Sequence, residues 1–519
     1  MLIKNKSMIA KVYSAALNGL SALPVEVEVD LLPGLFQFSI VGLPDAAINE
    51  AKERVSSAIK NSGAESPQQK RKRLIVNLAP ADLKKVGPAY DLPIAMSFLS
   101  ASGQLHIDRP DEKLFIGELS LEGKLRQVNG ILSIALMARE EKFQTLFVPK
   151  QNAEEAALIE GLEIIPVESL GQLINHFRNN ELILPKETTK IERFYKDTDN
   201  LIDMAYIRGQ EQVKRALEIA AAGGHNILMS GPPGSGKTML ARSFASILPA
   251  LDVDEALEVT QIFSVSGQLP SDISLITERP FRAPHHTAST ISLVGGGTHP
   301  RPGEVTLAHR GVLFLDEFPE FTRSFLESLR QPLEDGEIMV SRVSGSCNFP
   351  AKFILVGSMN PCPCGKAGDS DQQCICSPSQ VSKYQRKISG PLLDRIDLHI
   401  EVPRVAYDKL SDDKSGESSK SIRKRIEKTR KIQQIRFKDD KNVLTNSEMG
   451  NQHIRKFCKI DQQSQNLLKT AVNQLHLSAR SYYRLLKLAR TIADLADEEN
   501  ITQIHIAEAL QYRPKSEEY

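Results

Sequence analysis

Within positions 231–238, Gly231, Gly236, Lys237 and Thr238 fill the pattern G-x-x-x-x-G-K-[ST]. Glycines at those places let successive backbone N–H groups curl around phosphate oxygens at a helix N-terminus; Pro232, Pro233, Gly234 and Ser235 complete the loop. Lys237 is expected to reach the β- and γ-phosphates, and the Thr238 hydroxyl to ligate Mg²⁺. The apolar run "NILMS" before the loop reads as a buried strand, and "TMLARSFASIL" after it has helical periodicity. Strand, loop and helix therefore agree, and ATP with Mg²⁺ is the expected ligand pair.

Farther along, "GVLFLDE" ends an apolar strand in two carboxylates. Asp316 is suited to hold the Mg²⁺, and Glu317 to orient and polarise an attacking water. A third run, "FILVGSMNP", ends at Asn360, whose amide can place that water between Glu317 and the γ-phosphate; an asparagine in an ordinary turn before Pro361 is the alternative. Cys362, Cys364, Cys374 and Cys376 follow as C-x-C, nine residues, C-x-C. Four thiolates on a hairpin-like loop can wrap one tetrahedral Zn²⁺ at about 2.3 Å per bond. The one-residue gaps are tighter than usual, so reduced thiols in an ordered loop remain the other reading. His285 and His286 are adjacent and do not share a helical face, so they read as a loop feature rather than a metal pair.

These groups must be positioned by a long chain of 519 residues, enough for about three domains. Hydrophobic residues make up 41% and charged residues 25%, so each domain can bury a core. A net charge of +1 excludes a protein coated in positive charge; any nucleic-acid contact must be local. Lys11 and Asn18 interrupt any signal-peptide core at the start, and no apolar run approaches the about eighteen residues of a membrane span. A cytoplasmic protein is expected, with no membrane partner.

"RGQEQVKRALEIAAAGGHN", "PFRAPHHTAS", "LVGGGTHPRPGEVTLAHRGVLFLDE" and "ISGPLLDRIDLHIEVP" resemble the Mg-chelatase-like AAA+ ATPases, and more closely the ComM/YifB group, from about residue 8 to about 512. The resemblance implies a nucleotide-dependent homo-oligomer, a hexameric ring, with ATP between neighbouring subunits. It makes Arg395 an arginine finger supplied in trans, against a structural pair with Asp394 or Asp397. It makes Arg480 a second sensor on a C-terminal helical lid, touching the γ-phosphate of its own subunit's ATP, with Arg484 as the fallback. Ile207, Gly209 and Gln210 match the segment that packs around adenine.

The first part resembles another family. Strand-like runs such as "VEVEVDLL" and "RLIVNLAP" alternate with helical stretches, which implies an α+β domain. "GELSLEGKLRQVNGILSIALMARE" and "KKVGPAYDLPIAMSFLSA" resemble the C-terminal domain of Lon-type proteases. That chemistry needs a serine activated by a lysine, but the matching positions hold Ala89 and, near the lysine site, Ile134. A proteolytically inactive fold is expected.

Two insertions are candidates for a ring pore: the stretch around "GGGTHPRPGE", with Arg301, and a hairpin within "GEIMVSRVSGSCNFPAKFILVG", with Arg342 near its tip. In helicase relatives such a hairpin moves along DNA, so Arg342 and Arg301 are expected to contact phosphates without sequence preference; a solvated hairpin is the alternative. "DDKSGESS" reads as an exposed loop, and the basic "KSIRKRIEKTRKIQQIRF" as a solvated helix rather than a nucleic-acid face.

The expected architecture is a multidomain α/β protein: a Lon-like α+β domain over 1–180, a P-loop AAA+ α/β core over 190–405, and a helical lid over 406–519. The expected function is ATP hydrolysis coupled to remodelling of single-stranded or branched DNA, a helicase or branch-migration motor of recombination or natural transformation. A motor subunit for metal chelation is the rival; the Lon-like domain speaks against it on the expectation that chelatase motor subunits lack one.

Overall fold

The computed structural model describes residues 9–195, 202–297, 300–342, 345–368, 372–405, 416–440, 443–475 and 477–513. The chain divides into two compact units, Met1–Tyr195 with Ala256–Ile276, and Lys196–Glu255 with Thr277–Tyr519.

In the first unit, alternation between apolar and polar residues builds a seven-stranded mixed sheet. Its strands are β1 (Ala10–Asn18), β2 (Ser21–Leu32), β3 (Gln37–Val41), β4 (Arg73–Ala79), β5 (Lys113–Phe115), β6 (Thr145–Pro149) and β7 (Glu163–Val167), in the order β3-β4-β2-β1-β5-β6-β7. Val25, Val27 and Val29 of β2 are fully buried. They pack with α1 (Ala46–Asn61) and α2 (Asp91–Ala101). The latter is apolar nearly all round and lies in the core. Ala89 sits in the 3₁₀ turn Pro88–Tyr90, and Ile134 is buried in α3 (Ile131–Glu140). Neither has a nucleophile or a base to offer.

A segment expected within the ATPase core, 256–276, groups instead with this first unit. The buried Glu155 carboxylate explains its attachment. It accepts the Leu132 amide at 3.0 Å and the Ser264 hydroxyl, and the Ser264 oxygen accepts the Gly130 amide at 3.0 Å. Burial raises Glu155 above the usual carboxylate range despite these donors.

The second unit contains a five-stranded parallel sheet: β8 (Ile227–Ser230), β9 (Phe281–Arg282), β10 (Val312–Leu315), β13 (Ile354–Met359) and β14 (Leu398–Glu401), ordered β9-β10-β13-β8-β14. Every residue of β10 and β13 is buried, as a sheet covered on both faces requires. Between them in sequence, β11 (Glu337–Arg342) and β12 (Gly345–Pro350) form the expected antiparallel hairpin. Helices α4 (Glu211–Gly223) and α5 (Lys237–Ile247) share one apolar core with α7 (Ser419–Arg436), α9 (Ala479–Leu495) and α10 (Gln503–Gln511). Phe244, Ile247, Ile426, Leu485 and Ile506 are all members of that core, so the C-terminal helices and the sheet form one unit. The 405/406 boundary and residues 406–415, which include the first half of "DDKSGESS", lie outside the described residues.

The basic helix α7 keeps the expected solvated face through the exposed Lys420, Lys424, Lys428 and Lys431, while its arginines bind neighbouring elements. Arg423 donates to Ser246 O, Arg425 to Glu218 and Glu417, Arg430 to Ala221 O, and Arg436 to Asp494. Its arginines stitch the helix onto α4, α5 and α9, because guanidinium forks satisfy helix-end carbonyls and buried carboxylates.

Candidate functional site

The P-loop runs from the end of β8 into α5. Gly234 and Gly236 have φ of 77° and 89°, a region that favours glycine. At Gly231 the restriction is space: a Cβ there would stand 2.2 Å from the Val402 carbonyl oxygen. The Lys237 ammonium donates to the carbonyls of Gly231 at 2.7 Å and Pro232 at 3.0 Å, and to Asn360 Oδ1 at 3.3 Å. Burial pulls Lys237 below the usual lysine range, with Asp316 opposing.

Asp316, just past β10, is the hub of the acidic edge. Its Oδ2 accepts the Thr238 hydroxyl at 2.9 Å, and its Oδ1 accepts the Glu317 amide at 3.1 Å and the Ser358 hydroxyl. Thr238 and Asp316 are thus adjacent, as a shared Mg²⁺ would require. Glu317 has φ of 53°, an uncommon conformation for a non-glycine residue and one that concentrates at functional sites. Its Oε2 lies 3.4 Å from His286 Nδ1, and the His286 ring packs 4.2 Å from His285. Sequence reasoning left both His286 and Ser358 without a role. A serine inside an apolar strand carries no signal, and the histidine gains its partner only through the fold.

Arg395 is 5% exposed; it donates to Pro391 O at 2.7 Å and to Glu334. Neither Asp394 nor Asp397 is its partner. Arg480 donates to the other oxygen of the same Glu334. Hydrogen bonding from Arg395, helped by Arg480, holds this carboxylate below its usual range. Among the described residues, then, the two arginines are joined to each other through Glu334, whereas Lys237, Thr238, Asp316 and Asn360 form a separate cluster. Arg484 lies 3.4 Å from Asp397, which also faces His225 at 3.4 Å. Burial pushes Asp397 up, but Arg484, helped by the neighbouring His225 ring, outweighs it and holds the carboxyl well below its usual range.

In the adenine segment, Ile207 is buried, and Gly209 and Gln210 have φ of 60° and 61°. Gln210 Nε2 donates to Pro403 O at 2.5 Å, while its Oε1 is buried with no hydrogen-bond partner among the described residues. Arg301 is exposed, in a two-residue ladder opposite Gly296. Arg342 ends β11, but its side chain lies outside the described residues.

The four cysteines converge. Their sulfur atoms all lie within 4.8 Å of one another, and Cys362, Cys364 and Cys374 are 3.4–3.6 Å apart. A tetrahedral ion with bonds of about 2.3 Å places its ligands about 3.8 Å apart, so the set fits one mononuclear centre. All four are free thiols.

A P-loop on the first strand of a parallel five-stranded sheet, facing carboxylates on the next strand but one, defines an AAA+-type ATPase. Family models described as magnesium chelatase subunit ChlI match residues 203–410, as subunit ChlI of Mg-chelatase 27–152, and as the ChlI C-terminal part 416–513. The chain is 43% identical to "Competence protein ComM" of Haemophilus influenzae, covering 97% of each. It is also 43% identical to YifB of Escherichia coli, over 97% of this chain and 96% of that protein. The magnesium-chelatase 67 kDa subunit of Heliobacterium mobile is 28% identical over 45% of this chain and 38% of its own. The chain belongs to the Mg-chelatase-like ComM/YifB family. Because a model bearing a chelatase-subunit description also matches residues 27–152, the first unit is no argument against a chelatase role. No described helix is long and apolar enough to cross a membrane.

Proposed function

We propose that the chain assembles, in the presence of nucleotide, into a ring of six and couples ATP hydrolysis to branch migration or unwinding of DNA. In this reading Lys237 and the loop amides bind the triphosphate, with Ile207, Gly209 and Gln210 around adenine. Thr238 and Asp316 hold Mg²⁺, which neutralises developing phosphate charge; Glu317 and Asn360 orient the attacking water. Zn²⁺ on the four cysteines is a resident structural ion. Arg301 and Arg342 meet DNA phosphates in the pore, giving affinity without sequence preference.

One observation supports a seam role for Arg395: it is bound to Glu334, and it makes no hydrogen bond to Lys237, Thr238, Asp316 or Asn360 among the described residues. In this reading Arg395 acts in trans on a neighbour's ATP, and Arg480 touches the γ-phosphate of its own subunit's ATP. The DNA substrate is supported by end-to-end similarity to a protein named for competence. The test is ATP-driven migration of a four-way junction by purified protein, together with DNA stimulation of the ATPase. Turnover indifferent to DNA, with junctions left in place, overturns the DNA reading. A second reading, motor subunit of a metal chelatase, is favoured by the family descriptions themselves. ATP-dependent metal insertion into a porphyrin with chelatase partners would establish it.

A further inference from the structure

The cysteine cluster touches the nucleotide site through two short connections. Cys362 is fully buried and stands two residues beyond Asn360, whose side chain accepts from Lys237. The segment Cys362–Gly365 is a tight turn closed by the Gly365 amide on Cys362 O at 2.9 Å. Gly365 has φ of 76°, and a Cβ there would stand 2.5 Å from Pro233 Cδ in the P-loop and 3.9 Å from the Asn360 amide carbon. The turn therefore lies flat on Pro233, and only glycine fits.

An amide donor already reaches one of the sulfurs: the Ala367 N–H donates to Cys362 Sγ at 3.3 Å. N–H groups aimed at sulfur favour thiolate ligands, as in four-thiolate sites. Sulfur spacings of 3.4–3.6 Å suit a single ion and leave no room for a multinuclear cluster, while exceeding the about 2.05 Å of a disulfide.

We infer that the knot formed by Cys362, Cys364, Cys374 and Cys376 is a metal-dependent wall of the ATP site: Zn²⁺ on these four thiolates presses the Cys364–Gly365 turn against Pro233 and fixes Asn360, so that metal occupancy sets nucleotide affinity. The inference rests on the ATPase reading above. Without the ion, only weak thiol–thiol contacts hold the sulfurs at these spacings, and the turn loses its hold on the P-loop. Loss of zinc thereby weakens a site whose own residues are untouched.

The test measures metal content and ATP binding separately on the full chain. Wild type should carry about one zinc per chain. Exchange for Co²⁺ should give the intense visible bands of a tetrahedral thiolate site. Cys374→Ser with Cys376→Ser removes the two ligands outside the Cys362–Gly365 turn; it should lose zinc and weaken binding of a fluorescent ATP analogue about tenfold, the equivalent of roughly 1.4 kcal/mol. Gly365→Ala guards against a simple folding failure: it keeps all four thiols and the zinc, yet should weaken the same binding, again about tenfold, because of the strained φ and the clash with Pro233. Lys237→Ala should hydrolyse no ATP and keep its zinc. Less than about half a zinc per chain, or iron in its place, overturns the inference. So does zinc removal, or Gly365→Ala, that leaves ATP affinity within about twofold of wild type. A wild-type chain that carries zinc but neither binds nor hydrolyses ATP instead overturns the ATPase reading, and the coupling with it.

Discussion

Asp316 shows how much of a nucleotide site depends on side chains outside the familiar motifs. The Ser358 hydroxyl and the Glu317 amide fix one of its oxygens, leaving the other for Thr238. Ser358→Ala removes one orienting donor without altering a ligand. The Mg²⁺ concentration needed for half-maximal ATPase should rise about 10- to 100-fold, as is usual when a partner of a metal ligand is lost. A magnesium titration of steady-state turnover checks this, with an unchanged requirement counting against it. The P-loop and Asp316 were legible in sequence because their chemistry demands fixed residue types at fixed spacing. Ser358 and His286 were not, since each acquires its role only when distant strands and loops meet.

At the scale of elements, the C-terminal helices owe their attachment to buried charge as much as to apolar packing. Asp494 on α9 accepts from Arg436 at 2.6 Å, Arg490 at 3.0 Å and Asn446 at 2.8 Å, and its side chain is almost wholly buried. Asp494→Ala leaves two guanidiniums without their counter-charge inside the unit, a change expected to cost about 3–5 kcal/mol. Chemical denaturation of the variant beside wild type reads this directly; a loss under about 1 kcal/mol would contradict it. Helix α7 teaches the same lesson in reverse. Its run of arginines and lysines suggested a solvated face, which the lysines form, but a one-dimensional pattern cannot say which carbonyls and carboxylates the fold brings within reach of the arginines. Strand alternation in β2 and the continuous apolar runs of β10 and β13 were readable, since period and length alone encode burial on one face or both.

For the whole molecule, the separation of Arg395 from the Lys237 cluster leads to an assembly prediction. Arg395→Ala and Lys237→Ala should each be inactive alone, the former by about 10³- to 10⁵-fold. Mixed, they should recover a measurable fraction of activity, because a seam can form with Lys237 from one chain and Arg395 from its neighbour. Mixtures as inactive as the separate variants would refute use across a seam. Stability also depends on pH. Burial lowers His399 on β14 from 6.5 to about 4, so the folded chain holds it neutral while the unfolded chain takes up a proton. The resulting stability is complete above pH 6.5 and is lost as the pH falls toward 4. It amounts to roughly 1–2 kcal/mol because the ring keeps some solvent contact. Thermal melting across that range should show a smaller acid loss for His399→Gln than for wild type.

The sequence by itself determined the phosphate-binding loop, the α/β class of the core that carries it and the absence of serine and lysine at the Lon-like positions. These follow from local rules: glycine where φ must be positive, carboxylates at strand ends, apolar runs where both faces are covered. Only the tertiary structure decided that 256–276 groups with the first unit, that Arg395 and Arg480 share Glu334, and that the cysteine turn lies on Pro233. Each of those is a meeting of segments far apart in the chain. Such partnerships are settled by packing and by the need to pair buried charge, and spacing along the chain does not record them.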